Sequence, residues 1–343
     1  MDIKKIEINL NRGCNFDCSY CYETDKKNKD LVMSQSTLDQ TIKMIKSFYN
    51  NLKCNQRLQI SIYGGESLYK PELIDYLIHN LDGYNITYCF VTNGSLIRKN
   101  FRYILTWRLL TNNEIAFSIS YDYCLQNQNR NNNTEQLIKD NIKLLNRFNI
   151  KFSTNSVIPL NDIERIPDVY QNYIQLSNEI NNHYSFKLQF DRNIQIKDLD
   201  QVSNSLGKVK QRLDQLDKQY LTSKYGIECF NQRYNNCGFY YRVLCGIDYD
   251  GKIYPCQGSI FKTDIDLSYG TVYDDFEQLM IKREQFHKKY VWNKDKMNKC
   301  NSCNLVCNYC PLQMLNKYND VFEIMPDETT CEFRKLITMN IFR

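Results

Sequence analysis

The sequence predicts an α/β fold: a partial (β/α)6 barrel of the TIM type, followed by a cysteine-rich C-terminal domain. Three observations carry this expectation. Six strand-like runs alternate with helical patterns through the first two-thirds of the chain. The most unusual local sequences fall just past the ends of those runs. Nine of the fifteen cysteines lie between Cys229 and Cys331, where periodic segments become scarce. Alternating strands and helices imply right-handed crossovers and a parallel sheet. Six units, against the eight of a closed barrel, favour an open one with its chemistry in the loops after the strand C-termini.

The strand-like runs are "IEINL" (6–10), "LQISIY" (58–63), "YNITYCFV" (84–91), "IAFSIS" (115–120), "IKFSTNSVI" (150–158) and "SFKLQF" (185–190). Between them the apolar spacing is helical. In 34–50, Leu38, Ile42, Ile45 and Phe48 recur behind Ser34, a residue suited to an N-cap. Pro71 opens a short helix over 71–81. In 98–110 the stripe reads Phe101, Ile104, Leu105, Leu109 and Leu110. In 134–148, Thr134 is placed to cap, with Leu137, Ile138, Leu144 and Leu145 inward. In 162–180, Ile163, Ile166, Tyr170 and Ile174 share a face. The expected division is a barrel over 1–200, a polar helical linker over 201–228, a cysteine-rich domain over 229–335 and a tail over 336–343.

The 343 residues are 42% hydrophobic and 24% charged, enough for a sizeable core in one large domain or a large one with a smaller partner. The net charge of +5 is spread among interspersed acids and bases, so neither a nucleic acid nor a membrane partner is expected. No apolar run is long enough to span a bilayer. The first residues, "MDIKKIEINLNRGC", lack the apolar segment and cleavage site of an export signal, so a cytoplasmic protein is expected. In a reducing compartment, fifteen thiols point to metal rather than disulfides. Cys54, Cys89 and Cys124 read as small core residues, and His79, His183 and His287 as isolated surface or core residues.

Just past the first strand stands "NRGCNFDCSYCYET", with Cys14, Cys18 and Cys21 on one loop. Thiolates so spaced can face one centre. Zinc would want a fourth ligand nearby, and neither Cys nor His follows closely. A four-iron cluster on three thiolates keeps one iron open to a small chelating molecule. The plainer alternative is three packed cysteines. "GGES" (64–67), "TNG" (92–94) and "SYD" (120–122) follow the next three strands. Taken singly, each is equally a glycine turn, a strand-end serine or a solvated polar stretch.

The cysteine spacing, with Tyr20 before the third cysteine, resembles the radical S-adenosylmethionine superfamily. The resemblance implies that the open iron binds the amino and carboxylate groups of S-adenosylmethionine. One electron then cleaves a carbon–sulfur bond, and the resulting 5′-deoxyadenosyl radical abstracts hydrogen from a substrate. A flavodoxin- or ferredoxin-type donor would supply the electron. Gly64, Gly65 and Glu66 resemble the family's Gly-Gly-Glu motif, with Ser67 where proline is usual. They would admit backbone to the methionine moiety and accept its ammonium protons. Ser120 and Arg130 would meet the carboxylate, Arg130 by a forked ion pair. Thr92 and Asn93 would lie near ribose or methionine, and Asn155, Val157 and Ile158 near ribose and adenine.

The later cysteines read Cys237-x7-Cys245-Gly246, Gly251-x4-Cys256, Cys300-x2-Cys303-x3-Cys307-x2-Cys310 and then Cys331. This pattern resembles a SPASM domain, the iron–sulfur extension of many peptide-modifying radical enzymes. The resemblance implies two auxiliary 4Fe-4S clusters, three in all. Cys237, Cys245, Cys256 and Cys310 would hold one, and Cys300, Cys303, Cys307 and Cys331 the other. Cys229 is a rival for Cys237. Two zinc-ribbon knuckles, Cys300-x2-Cys303 and Cys307-x2-Cys310, are the alternative on spacing alone.

The implied substrate is a precursor peptide or protein, with a thioether or carbon–carbon cross-link installed in a ribosomally made peptide. Sulfatase maturases share the layout, but use an Asp directly after the extension's third cysteine. Gln257 stands there, and Asp248, Asp250 and Asp264 are the acids nearby. No residue is assigned as catalytic acid or base. The chain begins almost at its first strand, so a leader-binding domain is not expected ahead of it. A leader would bind the extension, a sheet edge or a separate leader-binding protein. Two rivals of another class are a non-catalytic iron–sulfur electron carrier and a zinc-ribbon binding module.

Overall fold

The computed structural model describes residues 4–21, 23, 28–52, 56–131, 133–190, 199–216, 244–261, 265–289, 332–333 and 335–336. Its strands β1 (Lys5–Asn9), β2 (Leu58–Tyr63), β3 (Ile86–Thr92), β4 (Ile115–Ser120), β5 (Lys151–Ile158) and β6 (Ser185–Phe190) match the six runs read from the sequence. They pair in sequence order, each parallel to its neighbours. Connecting them are α1 (Gln35–Asn50), α2 (Pro71–Asn80), α3 (Phe101–Leu110), α4 (Gln126–Asn129), α5 (Glu135–Arg147) and α6 (Ile166–Glu179), with α7 (Leu199–Leu213) after β6. The fold is thus the expected mixed α/β one of the partial TIM type. Among the described residues no helix is long and apolar enough to cross a membrane.

Strand alternation divides the sheet into two unlike faces. In register, Ile8 lies opposite Ile62, Ile62 opposite Phe90, and Phe90 opposite Phe117. This is the helix-covered side, since Phe90 stacks on Trp107 of α3 at 5.2 Å. The other face carries Glu7, Ser61, Ser118, Ser120 and Asn155 and lines the concave side. A polar concave face is costly for a core alone and suits an interior that receives something polar.

Three helix expectations need correction. In α3 the buried residues are Ile104 and Trp107, while Leu109 is 78% exposed. Leu109 lies five positions past Ile104, about 140° around the helix, and so faces solvent. In α5 the buried stripe is Ile138, Asn141, Ile142 and Leu145, and Leu137 is exposed. Thr134 does not cap α5. Its hydroxyl donates to the Asn131 carbonyl at 2.8 Å, and Asn127 Oδ1 accepts the amides of Thr134 and Glu135. Ser34 caps α1 as read, accepting the Thr37 amide at 3.2 Å.

Beyond the six units, β7 (Leu244–Ile247) pairs parallel with β1, and β8 (Lys252–Tyr254) and β9 (Gly270–Thr271) follow antiparallel. The order β6-β5-β4-β3-β2-β1-β7-β8-β9 is one open sheet. The short α8 (Gln257–Ile260) and the longer α9 (Phe276–Lys289) complete the described part. The described stretch of the cysteine-rich region that carries β7, β8 and β9 is therefore continuous with the barrel sheet, which its composition did not suggest.

Candidate functional site

The loop after β1 is gripped by the loops after β2, β3 and β4. The Gly65 amide donates to the Asn11 carbonyl at 3.1 Å and the Glu66 amide to the Gly13 carbonyl at 2.9 Å. A methyl group on Gly65 would lie 2.1 Å from the Arg12 carbonyl oxygen, and one on Gly64 2.8 Å from that of Asn11. The two glycines are thus required by loop-on-loop approach. From the β3 loop, Asn93 Nδ2 donates to Asn15 Oδ1 at 2.9 Å and points at Cys14 Sγ at 3.7 Å. From the β4 side, the Asn129 carbonyl accepts the Ser19 amide at 2.9 Å, and Asn131 Oδ1 accepts that of Asp17 at 2.9 Å.

Cys14, Cys18 and Cys21 are half-buried and form no disulfide. Burial pushes the Cys14 thiol up to about 12, against a bond from the Phe16 amide that lowers it. Among the described residues, no three Cys, His, Asp or Glu side chains converge on a single ion. Each thiolate of a four-iron cluster binds its own iron, a wider arrangement than a mononuclear site. The donor set fits such a cluster: three thiols on one loop, with N–H donors facing two of the sulfurs, Asn93 at Cys14 and Arg130 at Cys18.

Glu66 is fully buried. Its Oε1 accepts from Thr92 Oγ1 at 2.5 Å and from the Leu68 amide at 2.9 Å, and its Oε2 from the Asn93 amide at 2.7 Å. Burial raises its pKa above the ordinary carboxylate value, and these three bonds oppose the shift. A carboxylate offers about four lone-pair sites, so Oε2 retains one for a further donor. Thr92, on the helix-covered side, holds Glu66. Ser120 and Asn155 sit opposite each other in register on the concave face. Ile158 is fully buried on the other face, in the core, so of the three β5 residues only Asn155 and Val157 share the concave side.

Arg130 does not present an open fork. Its Nε donates to Asp122 Oδ2 at 3.0 Å and its Nη2 to Oδ1 at 3.3 Å. Burial opposes the guanidinium charge, and Asp122, Tyr20 and Cys18 together outweigh it, so the Arg130 pKa lies above its ordinary value. Tyr20 donates its hydroxyl to the same carboxylate, and the Arg130 guanidinium lies over the Tyr20 ring at 5.2 Å. Asp122 also accepts the Val157 amide at 2.9 Å. Asp122, which ties Arg130 to the Val157 amide, is the member of this candidate site that the sequence reading leaves without a role. The available signal was an acid two residues past Ser120, at a strand end.

A second network joins the loop to the region after β7. Arg12 Nη2 donates to Asp248 Oδ2 at 2.6 Å and Nη1 to Glu23 at 3.3 Å, with its guanidinium 4.9 Å from the Phe261 ring centroid. Asp248 therefore serves as an anchor. Gln257 gives its backbone amide to Glu7 Oε2 at 2.8 Å. Cys245 is buried in β7 opposite Ile6, and Cys256 is half-buried before α8. Cys229, Cys237, Cys300, Cys303, Cys307, Cys310 and Cys331 lie outside the described residues.

A family model described as the radical SAM superfamily matches residues 8–172. The radical SAM cyclopropyl synthase TigE of Paramaledivibacter caminithermalis is 26% identical over 194 residues, covering 50% of this chain and 39% of that protein. The chain thus spans well under half the length of the curated relatives it matches. Among solved structures, anSMEcpe with bound AdoMet is similar at a TM-score of 0.71 and 19% identity, over 98% of this chain and 93% of that one. SuiB of Streptococcus suis, bound to its precursor peptide SuiA, is similar at 0.65 and 14%, over 92% and 74%. At these identities the structural likenesses concern the fold.

Proposed function

We propose that this chain, whose residues 8–172 match the radical SAM superfamily model, is a peptide-modifying enzyme of that superfamily that cleaves S-adenosylmethionine reductively. The observation that carries this reading is the convergence of the loops after β2, β3 and β4 on the Cys14–Cys21 loop. When bound, a four-iron cluster on these three thiolates supplies the electron that cleaves S-adenosylmethionine to methionine and a 5′-deoxyadenosyl radical, which takes hydrogen from a peptide.

The chain's own residues bind and orient. Glu66 keeps one acceptor site toward an ammonium group. Ser120, Asn155 and Val157 offer the concave face to the nucleoside and carboxylate. We assign the product class as a thioether or carbon–carbon cross-link in a ribosomally made peptide. The likeness to SuiB with its precursor peptide and the TigE relative support it. Auxiliary 4Fe-4S clusters on the extension cysteines, Cys245 and Cys256 among them, belong to the same reading, as do an external one-electron donor and, for the leader, a separate binding protein.

A sulfatase-maturase activity is the second reading, favoured by the likeness to anSMEcpe. Gln257 argues against it, since an amide cannot serve as the carboxylate base expected at that place. Anaerobic reconstitution with iron and sulfide, then addition of S-adenosylmethionine and a strong reductant, tests the main reading. It predicts 5′-deoxyadenosine from the wild type and none from the Cys14/Cys18/Cys21→Ala variant. No product above that control would remove the enzyme reading. Stoichiometric zinc without iron would favour a binding module instead.

A further inference from the structure

We propose that Arg130 acts as a hydrogen-bond donor to the Cys18 thiolate that sets the reduction potential of the first cluster, rather than as the carboxylate clamp its sequence position suggests. This rests on the proposed four-iron site at Cys14, Cys18 and Cys21. A guanidinium has five N–H donors, and its Nε–Nη2 edge is the one that grips a carboxylate as a parallel pair. In Arg130 that edge is already closed on Asp122, at 3.0 and 3.3 Å. The side chain is fixed in that pose from three sides. Asp122 is fully buried and is itself held by the Tyr20 hydroxyl and the Val157 amide. The Tyr20 ring covers the guanidinium face. The carbonyl of Asn129, the residue before Arg130, is bonded to the Ser19 amide in the cysteine loop.

What remains directed at the loop is Nη1, which points at Cys18 Sγ at 3.8 Å. Hydrogen bonds to cluster sulfurs and nearby charge are among the levers that set iron–sulfur potentials. A cationic N–H donor at a ligating sulfur favours the reduced, more negative form and so raises the potential. Asp122 keeps that cation in place and offsets its charge, so Asp122 is a positioning residue for Arg130.

The test is a potentiometric titration of the full-length, reconstituted protein without S-adenosylmethionine, followed by electron paramagnetic resonance. The first cluster's signal is identified as the one missing from a Cys18→Ala control. Arg130→Gln removes the charge and the guanidinium N–H aimed at Cys18. The expected result is a lower midpoint potential, corresponding to a tenfold change in the oxidised-to-reduced ratio at fixed potential, or about 59 mV for one electron. An intact signal at the wild-type potential would overturn the proposal. If Arg130→Gln fails to load iron, Arg130→Lys keeps a cation beside Asp122 but lacks the guanidinium N–H aimed at Cys18. Its potential is also expected to fall, and a wild-type value would overturn the proposal. Absence of this signal from the wild type itself would instead count against the proposed function.

Discussion

Asp122 and Arg130 form a buried, two-bonded ion pair, Nε to Oδ2 at 3.0 Å and Nη2 to Oδ1 at 3.3 Å, between the end of β4 and the cysteine loop. Removing one partner of such a pair leaves an uncompensated buried charge. Asp122→Ala is therefore expected to destabilise the fold by about 3–5 kcal/mol. Urea unfolding of the iron-free protein checks this, and a loss below about 1 kcal/mol, the range of an exposed pair, would contradict the assignment.

Gly65 and Gly207 make a contrasting pair. A Cβ on Gly65 would strike the Arg12 carbonyl at 2.1 Å, while one on Gly207 in α7 meets nothing within 4 Å. Gly65→Ala should displace the cysteine loop and lower the iron bound per chain after reconstitution. Gly207→Ala should leave iron loading unchanged and stabilise the protein by about 1 kcal/mol, through helix propensity. Equal iron loading in both variants would show that the close approach is not needed.

Trp107 and Leu109 test which face of α3 is buried. Trp107 stacks on Phe90 and donates Nε1–H to Asp75 Oδ1 at 2.9 Å, whereas Leu109 is 78% exposed. Trp107→Ala should cost about 3–5 kcal/mol. Leu109→Ala should stay within about 0.5 kcal/mol. Denaturant midpoints of the two variants decide between this face and the one the leucine spacing suggested.

Legibility from sequence followed the range of the forces involved. The six parallel strands were readable because each is a short apolar or alternating run between turn signals. The Cys14–Cys21 loop was readable because its chemistry is local. The stripe of α3 was misread because leucine counts as apolar wherever it points, and the helix starts at Phe101, three residues later than expected. Pairing across loops was not readable. Nothing within residues 120–130 says that Arg130 turns to Asp122 rather than outward, because Tyr20 and Val157, which hold the carboxylate, come from distant segments. Likewise, β7 pairs with β1 across more than two hundred residues, and so reads locally as part of a separate domain.

Glu66 supplies a pH dependence. Burial raises its pKa, so the folded protein binds this proton more tightly than the unfolded chain does. Its contribution favours folding below the ordinary carboxylate pKa and is lost as pH rises through the raised value. Glu66→Gln removes that titration. The stability difference between Glu66→Gln and the wild type should therefore shift in favour of the variant as pH climbs through this window. Urea unfolding at a series of pH values measures it, and a shift toward the wild type would contradict the sign.

The proposed function requires a cluster on Cys14, Cys18 and Cys21 with one iron open to S-adenosylmethionine. The most direct measurement is the electron paramagnetic resonance spectrum of the reduced, reconstituted protein before and after S-adenosylmethionine is added, with the Cys14/Cys18/Cys21→Ala variant as control. The expected result is a signal absent from the control whose g-values change on addition. A signal carried by these cysteines that does not respond to S-adenosylmethionine would contradict it.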